Sequence, residues 1–440
     1  MSPAQSLVEV FTYNPTIAGD RARAEADRIE VDIAKADGRF DFRTRIDAQH
    51  DFVNSDYRLQ PRSASALTAT VRVSLPLTAG GRVRTRVSGQ LARASASAAQ
   101  FEEVENRVLG QAVDAHLDVA RDRVLLELQK EQRTVLEQLL ESARFRARLG
   151  DLTRTDVDQA RARLASSQAA TVTAEAALTL SSAQYWALTG KQPDADMQVD
   201  DGLPRLPNMA DIIALLDTAP AYKAAVFRRQ EAEAAVRYAR SQRYPSISAF
   251  AELGNQLAGS GWISRTGRTN ATVGITLTLP LYQGGRIAAQ VRAARANQAM
   301  AIEEQTGIMR DLLADVRSLY AQLRAADEAV TENRLAVAAA TEARKVIIVQ
   351  NSVGERSFLD ILNAQSEVLQ TQQRLIQARC LRISTAYRIL AVLGTLDDLA
   401  ASSMPLTRSP ARARPTTVTQ LQNIRYFPEM ASWDLGRKRV

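Results

Sequence analysis

Few residues of this chain are of a type and spacing that could do chemistry. His50 and His116 lie far apart in the sequence and make a poor metal site. Cys380 is the only cysteine, so an internal disulfide and a cysteine metal cluster are both excluded. Its apolar neighbours mark an inert buried thiol, and its position argues against an N-terminal lipid anchor. Gly80-Gly81 and Gly284-Gly285 invite comparison with a phosphate loop, but the Lys-Ser/Thr that such a loop needs is missing. No nucleophile–base pairing is visible. These residues point away from an enzyme and call for no cofactor and no metal.

Two acidic motifs remain. Thr153-Arg154-Thr155-Asp156 and Ser357-Phe358-Leu359-Asp360 both have the form of a capping box at a helix start. Aspartate there also complements the helix dipole. Asp360 and Asn363 are three apart, hence on one helix face.

The elements that position these residues come in two copies. Ser74-Leu75-Pro76-Leu77-Thr78-Ala79-Gly80-Gly81-Arg82-Val83 recurs 204 residues later as Thr278-Leu279-Pro280-Leu281-Tyr282-Gln283-Gly284-Gly285-Arg286-Ile287. Gly150, Thr153 and Asp156 recur as Gly354, Ser357 and Asp360, and Phe40 aligns with Tyr244. This register runs from about residue 40 to 394, while Asn14-Pro15 matches Ala219-Pro220 with a shift of one. The period is far longer than that of ordinary solenoids.

Each copy opens with a short helix (16–37, 221–242). Alternating stretches follow: Phe40, Phe42, Ile46 and Ala48 against Asp41, Arg43, Arg45 and Asp47, then Leu67 to Leu75. The second copy repeats this around Ile247–Leu253, with Phe250 as an exception, and Val273–Leu279. Period two means strands with one oily and one wet face. The Gly/Ser/Asn-rich links 50–66 and 254–271 read as exposed loops. Tyr57, Tyr244, Trp262 and Tyr282 near the strand ends suit an interfacial girdle.

Beyond each Gly-Gly pair, long proline-free Ala/Leu/Arg/Glu/Gln-rich stretches mean helix. Residues 82–148 as one helix would span roughly 100 Å. A turn, Leu149-Gly150-Asp151-Leu152 or Val353-Gly354-Glu355-Arg356, sends a second helix back over 153–189 or 357–393. Leu362, Leu369, Ile376, Ile383 and Leu390 recur every seven residues, a coiled-coil period. Pro76 and Pro280 at strand ends, with glycines after them, suit a bend from strand to helix.

The formal charge of +7 is spread as Arg alternating with Glu and Asp, which reads as solvated helix faces and not as a nucleic-acid surface. No apolar run reaches the ~20 residues of a membrane helix. No signal peptide is visible; in an exported protein it would have been removed or would lie upstream of Met1. Four half-oily strands cannot close a barrel, and known membrane barrels begin at about eight strands, so several copies must combine. The residues alone also admit a soluble coiled-coil scaffold.

Asn14-Pro15, Leu279-Pro280-Leu281-Tyr282-Gln283-Gly284-Gly285, Ser352 through Ala364 and Ala391-Val392-Leu393-Gly394-Thr395-Leu396 together resemble the TolC family of outer-membrane efflux and secretion proteins over about residues 6–400. The resemblance implies a mainly α protomer with a small β part, trimerising into a 12-strand β-barrel continued by a 12-helix α-barrel. Residues 1–190 and 219–394 would be the two repeats. Residues 191–218 would be an equatorial linker, and 395–440 an equatorial segment and a disordered tail (401–440). Partners would be two further copies, outer-membrane lipid, a periplasmic adaptor and an inner-membrane transporter. The Leu-Pro-Leu-Tyr-Gln-Gly-Gly form and the lack of an anchor cysteine look more like type I secretion members, hence an ABC transporter, and a toxin outlet of the cyclolysin kind is one such outlet; multidrug efflux is the alternative.

By the same resemblance Arg356 matches a linking arginine, Asp156 and Thr155 match its acceptors, and Asp360 matches an acidic ring. Asn363 stands where the second ring acid would be, and Asn351 where a linking tyrosine would be. The acidic collar is therefore expected to be weaker than in the prototype. Three Asp360 carboxylates around an axis would concentrate cations. The turns around Leu149, Gly150 and Thr153, and Val353, Gly354 and Ser357, are the candidate adaptor contacts.

Overall fold

The computed structural model describes residues 10–11, 13–51, 64–199, 202–259 and 268–396. Tyr57, Trp262, the tail from 401 and the chain start lie outside these described residues. The chain divides into Met1–Ser403 and Met404–Val440, and all described elements belong to the first unit.

Asn14 starts the first helix: its side chain accepts from the Thr16 and Ile17 amides at 2.9 and 3.3 Å, and Pro15 occupies the first helical position. The order is then α1 (Pro15–Ala36), β1 (Asp41–Asp51), β2 (Ala64–Thr78), α2 (Arg82–Leu149), α3 (Arg154–Thr189), α4 (Met209–Leu215) running into a 3-10 turn, α5 (Pro220–Ser241), β3 (Ser246–Gly259), β4 (Arg268–Thr278), α6 (Arg286–Ser352) and α7 (Phe358–Leu393). The strands run further into the links than their Gly/Ser/Asn composition implied. Ladder pairing, such as Asp51 with Ala64 and Gln256 with Arg268, holds residues that composition alone assigns to loops.

The duplication also needs a correction. Arg82 to Arg286 is 204 residues, but Pro15 to Pro220 and Asp41 to Ser246 are 205. Buried Val31 and Ala34 correspond to buried Val236 and Ala239 at that larger spacing. The shift of one therefore persists through the short helix and first strand, and the match of Phe40 with Tyr244 is out of register by one residue. Counted between the innermost paired residues, Asp51–Ala64 and Gln256–Arg268, the second hairpin encloses one residue fewer.

The strands form one antiparallel sheet in the order β1-β2-β3-β4. Its register lines up Phe42, Val73, Ala251 and Val273 on one face, and Arg43, Arg72, Glu252 and Thr272 on the other. The oily face is bare: Val273 is 85% exposed, and Ile46, Ile275 and Leu277 stand out beside it. Among the described residues no helix is long and apolar enough to cross a membrane. Phe250 sits on the wet face because Gly274 leaves its ring a place: a Cβ on Gly274 would meet Phe250 Cζ at 2.8 Å. Arg72 stacks on the same ring at 5.3 Å and pairs with Glu252 at 2.6 Å.

The long helices form two antiparallel hairpins, α2 with α3 and α6 with α7, joined by α2 against α7. α3 and α6 are thus the flanks. Helix α5 packs against both α2 and α6, whereas α1 packs against α2. Of the seven-spaced series, Leu362, Ile376, Ile383 and Leu390 are buried, as a coiled-coil seam requires. The core is a string of clusters along the helices. One gathers Val108, Leu117, Ile383 and Leu390; one near the hairpin ends gathers Leu136, Leu140, Phe358 and Leu362. Cys380 is buried, and burial pushes its thiol up to about 11.

Two outcomes follow. Gly274→Ala should cost about 1–3 kcal/mol by crowding Phe250, and pairing it with Phe250→Ala should recover part of the loss in a denaturation series. His116 is wholly buried, and burial pushes it down to about 4 against the opposing effect of a hydrogen bond that its ring donates to the Gln198 backbone. The unfolded chain would bind this proton first, so stability is intact above pH ~6.5 and falls by about 3 kcal/mol as pH drops toward 4. His116→Gln should flatten that part of the stability–pH curve relative to the parent protein; parallel curves would contradict it.

Candidate functional site at the hairpin ends and the strand–helix junction

The α2–α3 turn is made by Gly150, whose positive φ lets the Asp151 amide reach back to the Arg146 carbonyl at 3.0 Å. Gly354 does the same for the α6–α7 turn, with Glu355 donating to the Gln350 carbonyl at 2.9 Å. Leu149 and Val353 stand exposed beside these glycines. Both capping boxes form. The Thr153 amide donates to Asp156 Oδ2 at 2.9 Å and the Ser357 amide to Asp360 Oδ2 at 2.9 Å, while Thr153 Oγ1 and Ser357 Oγ accept from the Asp156 and Asp360 amides. The Ser357 hydroxyl and amide hold the Asp360 carboxyl below the usual carboxylate range, with Arg356 adding to the effect. Asp360 therefore stays ionised at any physiological pH while also serving as a cap.

Among the described residues of one protomer, Arg356 reaches Gln350 Oε1 at 3.4 Å and is not joined to Asp156 or Thr155. Thr155 is exposed. Other side chains tie the hairpins together. Arg146 Nη1 donates to Asn351 Oδ1 at 2.8 Å, and Asn351 Nδ2 donates to the Arg356 carbonyl at 2.8 Å. Arg163 Nη2 donates to Asn363 Oδ1 at 3.2 Å. Deeper, Gln365 Nε2 donates to Gln132 Oε1 at 2.7 Å, and Arg344 Nη1 donates to Gln365 Oε1 at 2.9 Å. Asn351 and Asn363 thus accept from arginines of the first hairpin. Arg146, Arg163, Gln132 and Gln365 gave no local signal, because each is an ordinary polar residue on a polar helix until its partner about 200 residues away is known.

At the other end, Gly80, Gly81, Gly284 and Gly285 all take positive φ, and each pair is followed at once by a long helix. A Cβ on Gly80 would lie 2.7 Å from Tyr244 Cβ and 3.0 Å from the Pro245 carbonyl, so the bend is also a close backbone approach. Arg82 Nη2 donates to the Tyr244 carbonyl at 3.3 Å, bracing the junction against the α5–β3 turn. Pro76 sits at an irregularity of β2 opposite Ser248, and Pro280 follows the end of β4. Tyr244 and Tyr282 are exposed there.

Residues 8–191 and 212–395 each match the family described as Outer membrane efflux protein. The chain belongs to that family. Its two matched blocks start 204 residues apart, the spacing of the long-helix hairpins. This outer membrane efflux protein is 28% identical to the Outer membrane efflux protein BepC of Brucella suis, over 90% of this chain and 86% of that one. It is 25% identical to the Alkaline protease secretion protein AprF of Pseudomonas aeruginosa, over 75% of this chain and 71% of that one. In fold it is similar to the outer membrane protein VceC of Vibrio cholerae, with a TM-score of 0.76 at 22% identity, covering 89% of this chain and 96% of that one. The TolC-like resemblance of the motifs holds. The protein is an outer-membrane efflux channel and not an enzyme, and family members work in tripartite systems with an adaptor and an inner-membrane transporter.

Asn351→Ala removes the acceptor that holds Arg146 and should cost about 1–3 kcal/mol. If this bond holds the hairpin ends together, single-channel conductance of the variant should rise. A stability loss with unchanged conductance would make the bond purely structural.

Proposed function

We propose that three copies of this chain close a 12-strand barrel in the outer membrane and a 12-helix tube beneath it, forming the exit duct of a type I protein or toxin secretion system. The observation that carries the reading is the open four-stranded sheet with one bare oily face, continuous through Gly-Gly bends with two helical hairpins whose first helices are 68 and 67 residues long. Helices of that length reach about 100 Å. The likeness to AprF and the Leu279–Gly285 motif favour polypeptide cargo delivered by an ABC transporter. The likeness to BepC favours the second reading, a multidrug efflux outlet.

In this proposal 1–190 and 219–394 are the working repeats, with 191–218 forming a belt around them; the segment from 397 lies outside the described residues. The turns at Leu149, Gly150 and Thr153, and at Val353, Gly354 and Ser357, meet the periplasmic adaptor. Three Asp360 carboxylates form the cation-attracting ring at the entrance. Asn363 beside each adds no charge, so the collar is weaker than a doubly acidic one.

Asp360→Ala should raise conductance or lower cation selectivity in a planar bilayer; an unaltered channel would leave Asp360 as a helix cap only. Deleting the gene should abolish appearance of one secreted polypeptide in the medium while drug susceptibility stays unchanged. Intact secretion with heightened drug susceptibility would replace the type I reading with the efflux one.

A further inference from the structure

The positive charge of the chain is less evenly spread than the alternation of Arg with Glu and Asp along the helices implies. Four windows of twelve residues lie against one end of the sheet: 28–39 and 233–244 lead into β1 and β3, and 82–93 and 286–297 follow β2 and β4. Together they carry thirteen Lys/Arg and four Asp/Glu, an excess of nine positive charges, whereas the whole chain has a net charge of +7. All of the positive excess therefore sits in a band reaching about 18 Å from the sheet, and the rest of the chain is slightly acidic.

The band is also short of partners. Lys35 pairs with Asp32 and Arg86 with Asp37, while Arg28 and Arg93 pair with Glu25 and Asp27. Arg39, Arg84, Arg237, Arg240, Arg243 and Arg292 are exposed and have no acidic partner among the described residues. Further along the long helices basic residues find acids one turn away, as Lys130 does with Glu127 and Lys345 with Glu342. Neither α2 nor α6 has an acid in its first turn, and the first along each is Glu102 or Glu303. Arg82, Arg84 and Arg286 instead occupy the positive end of a helix dipole, which disfavours cations. An anion from outside the chain offsets both repulsions.

The neighbours of these arginines indicate where that anion lies. Exposed Phe40 follows Arg39, exposed Tyr244 follows Arg243, and exposed Leu281 and Tyr282 stand before Arg286. At these three junctions the order from helix to sheet is cation, aromatic ring, oily strand. That is the order of a membrane interface, from headgroups to acyl chains. Resting on the membrane-barrel reading above, we infer that this arginine collar binds the phosphate groups of anionic phospholipids in the leaflet nearest the helices. Guanidinium groups offer paired donors to phosphate oxygens, and arginine clusters beside a membrane attract anionic lipid. The collar thereby fixes the depth of the barrel in the bilayer.

The test places the full-length protein in nanodiscs of phosphatidylcholine with a minor share of phosphatidylglycerol. Spin-labelled forms of each lipid report which one contacts the protein. Phosphatidylglycerol should be enriched about fivefold, the factor that one arginine near an anionic surface supplies. The enrichment should vanish in about 1 M salt, where the screening length is about 3 Å. Arg39→Gln with Arg240→Gln and Arg243→Gln should lose most of it, whereas Arg144→Gln with Arg154→Gln and Arg161→Gln, near the hairpin ends, should keep it. The lipid and salt comparisons use the unmodified protein, so they decide the matter even where the triple variant fails to assemble. An assembled trimer in the bilayer with no lipid preference would overturn the collar and leave the barrel standing; a protein that does not enter the bilayer would overturn both. Displacement of the labelled lipid by inorganic phosphate at constant ionic strength would make this a free-anion site and overturn the lipid assignment. Unchanged enrichment in the collar variant would overturn it too, and a shift of that variant's conductance toward cations would put the arginines on the duct wall instead.

Discussion

The backbone groups on the free edges of the sheet set the terms for everything else. Among the described residues, β1 and β4 each present an unpaired row of amides and carbonyls beside an oily face. In lipid such groups have no water to satisfy them, and only a closed barrel pairs them all. A four-stranded sheet is too narrow to close on itself. The edges that would be a hazard in a soluble monomer become the joints of an assembly, and a chain built from two like repeats already contains the template for that joint between β2 and β3.

The helices inherit their placement from the same constraint. The two long helices α2 and α6 each leave the sheet at a Gly-Gly pair in a left-handed conformation, so strands feed long helices without a loose linker. Close approach of Gly80 to Tyr244 and Pro245 fixes the angle at the first bend, where a side chain would force the two backbones apart. The hairpins then end in capped turns held to each other by a small number of polar bonds, Arg146 to Asn351 and Arg163 to Asn363. Rigid walls with few polar ties at the far end suit a duct whose opening is governed where partners meet it.

Much of this was legible in the residues. Period two in 40–49 and period seven from Leu362 to Leu390 reported strand and coiled coil because burial acts on every residue of those faces. The capping boxes at Thr153 and Ser357 were readable because their partners lie three residues away. The limits of the strands were less legible: Ala64–Ala66 and Asn255–Gly259 have loop-like composition and are held by partners across the ladder. The one-residue difference between the two hairpins is masked in the sequence because Phe40 and Tyr244 are both aromatic; the buried pairs Val31 with Val236 and Ala34 with Ala239 carry the true spacing. The ties between hairpins were hidden for the same reason, since Asn351 as a bond to Arg146 depends on two residues 205 apart. Phe250, out of pattern on its strand, is accounted for by the space above Gly274.

The central claim is that the protomer is incomplete until its sheet edges are paired with other copies. Native mass measured on protein extracted from outer membranes in mild detergent tests it most directly. The account predicts particles of three chains that precipitate or scatter when the detergent is removed. A monodisperse single chain that stays in solution without detergent would contradict it.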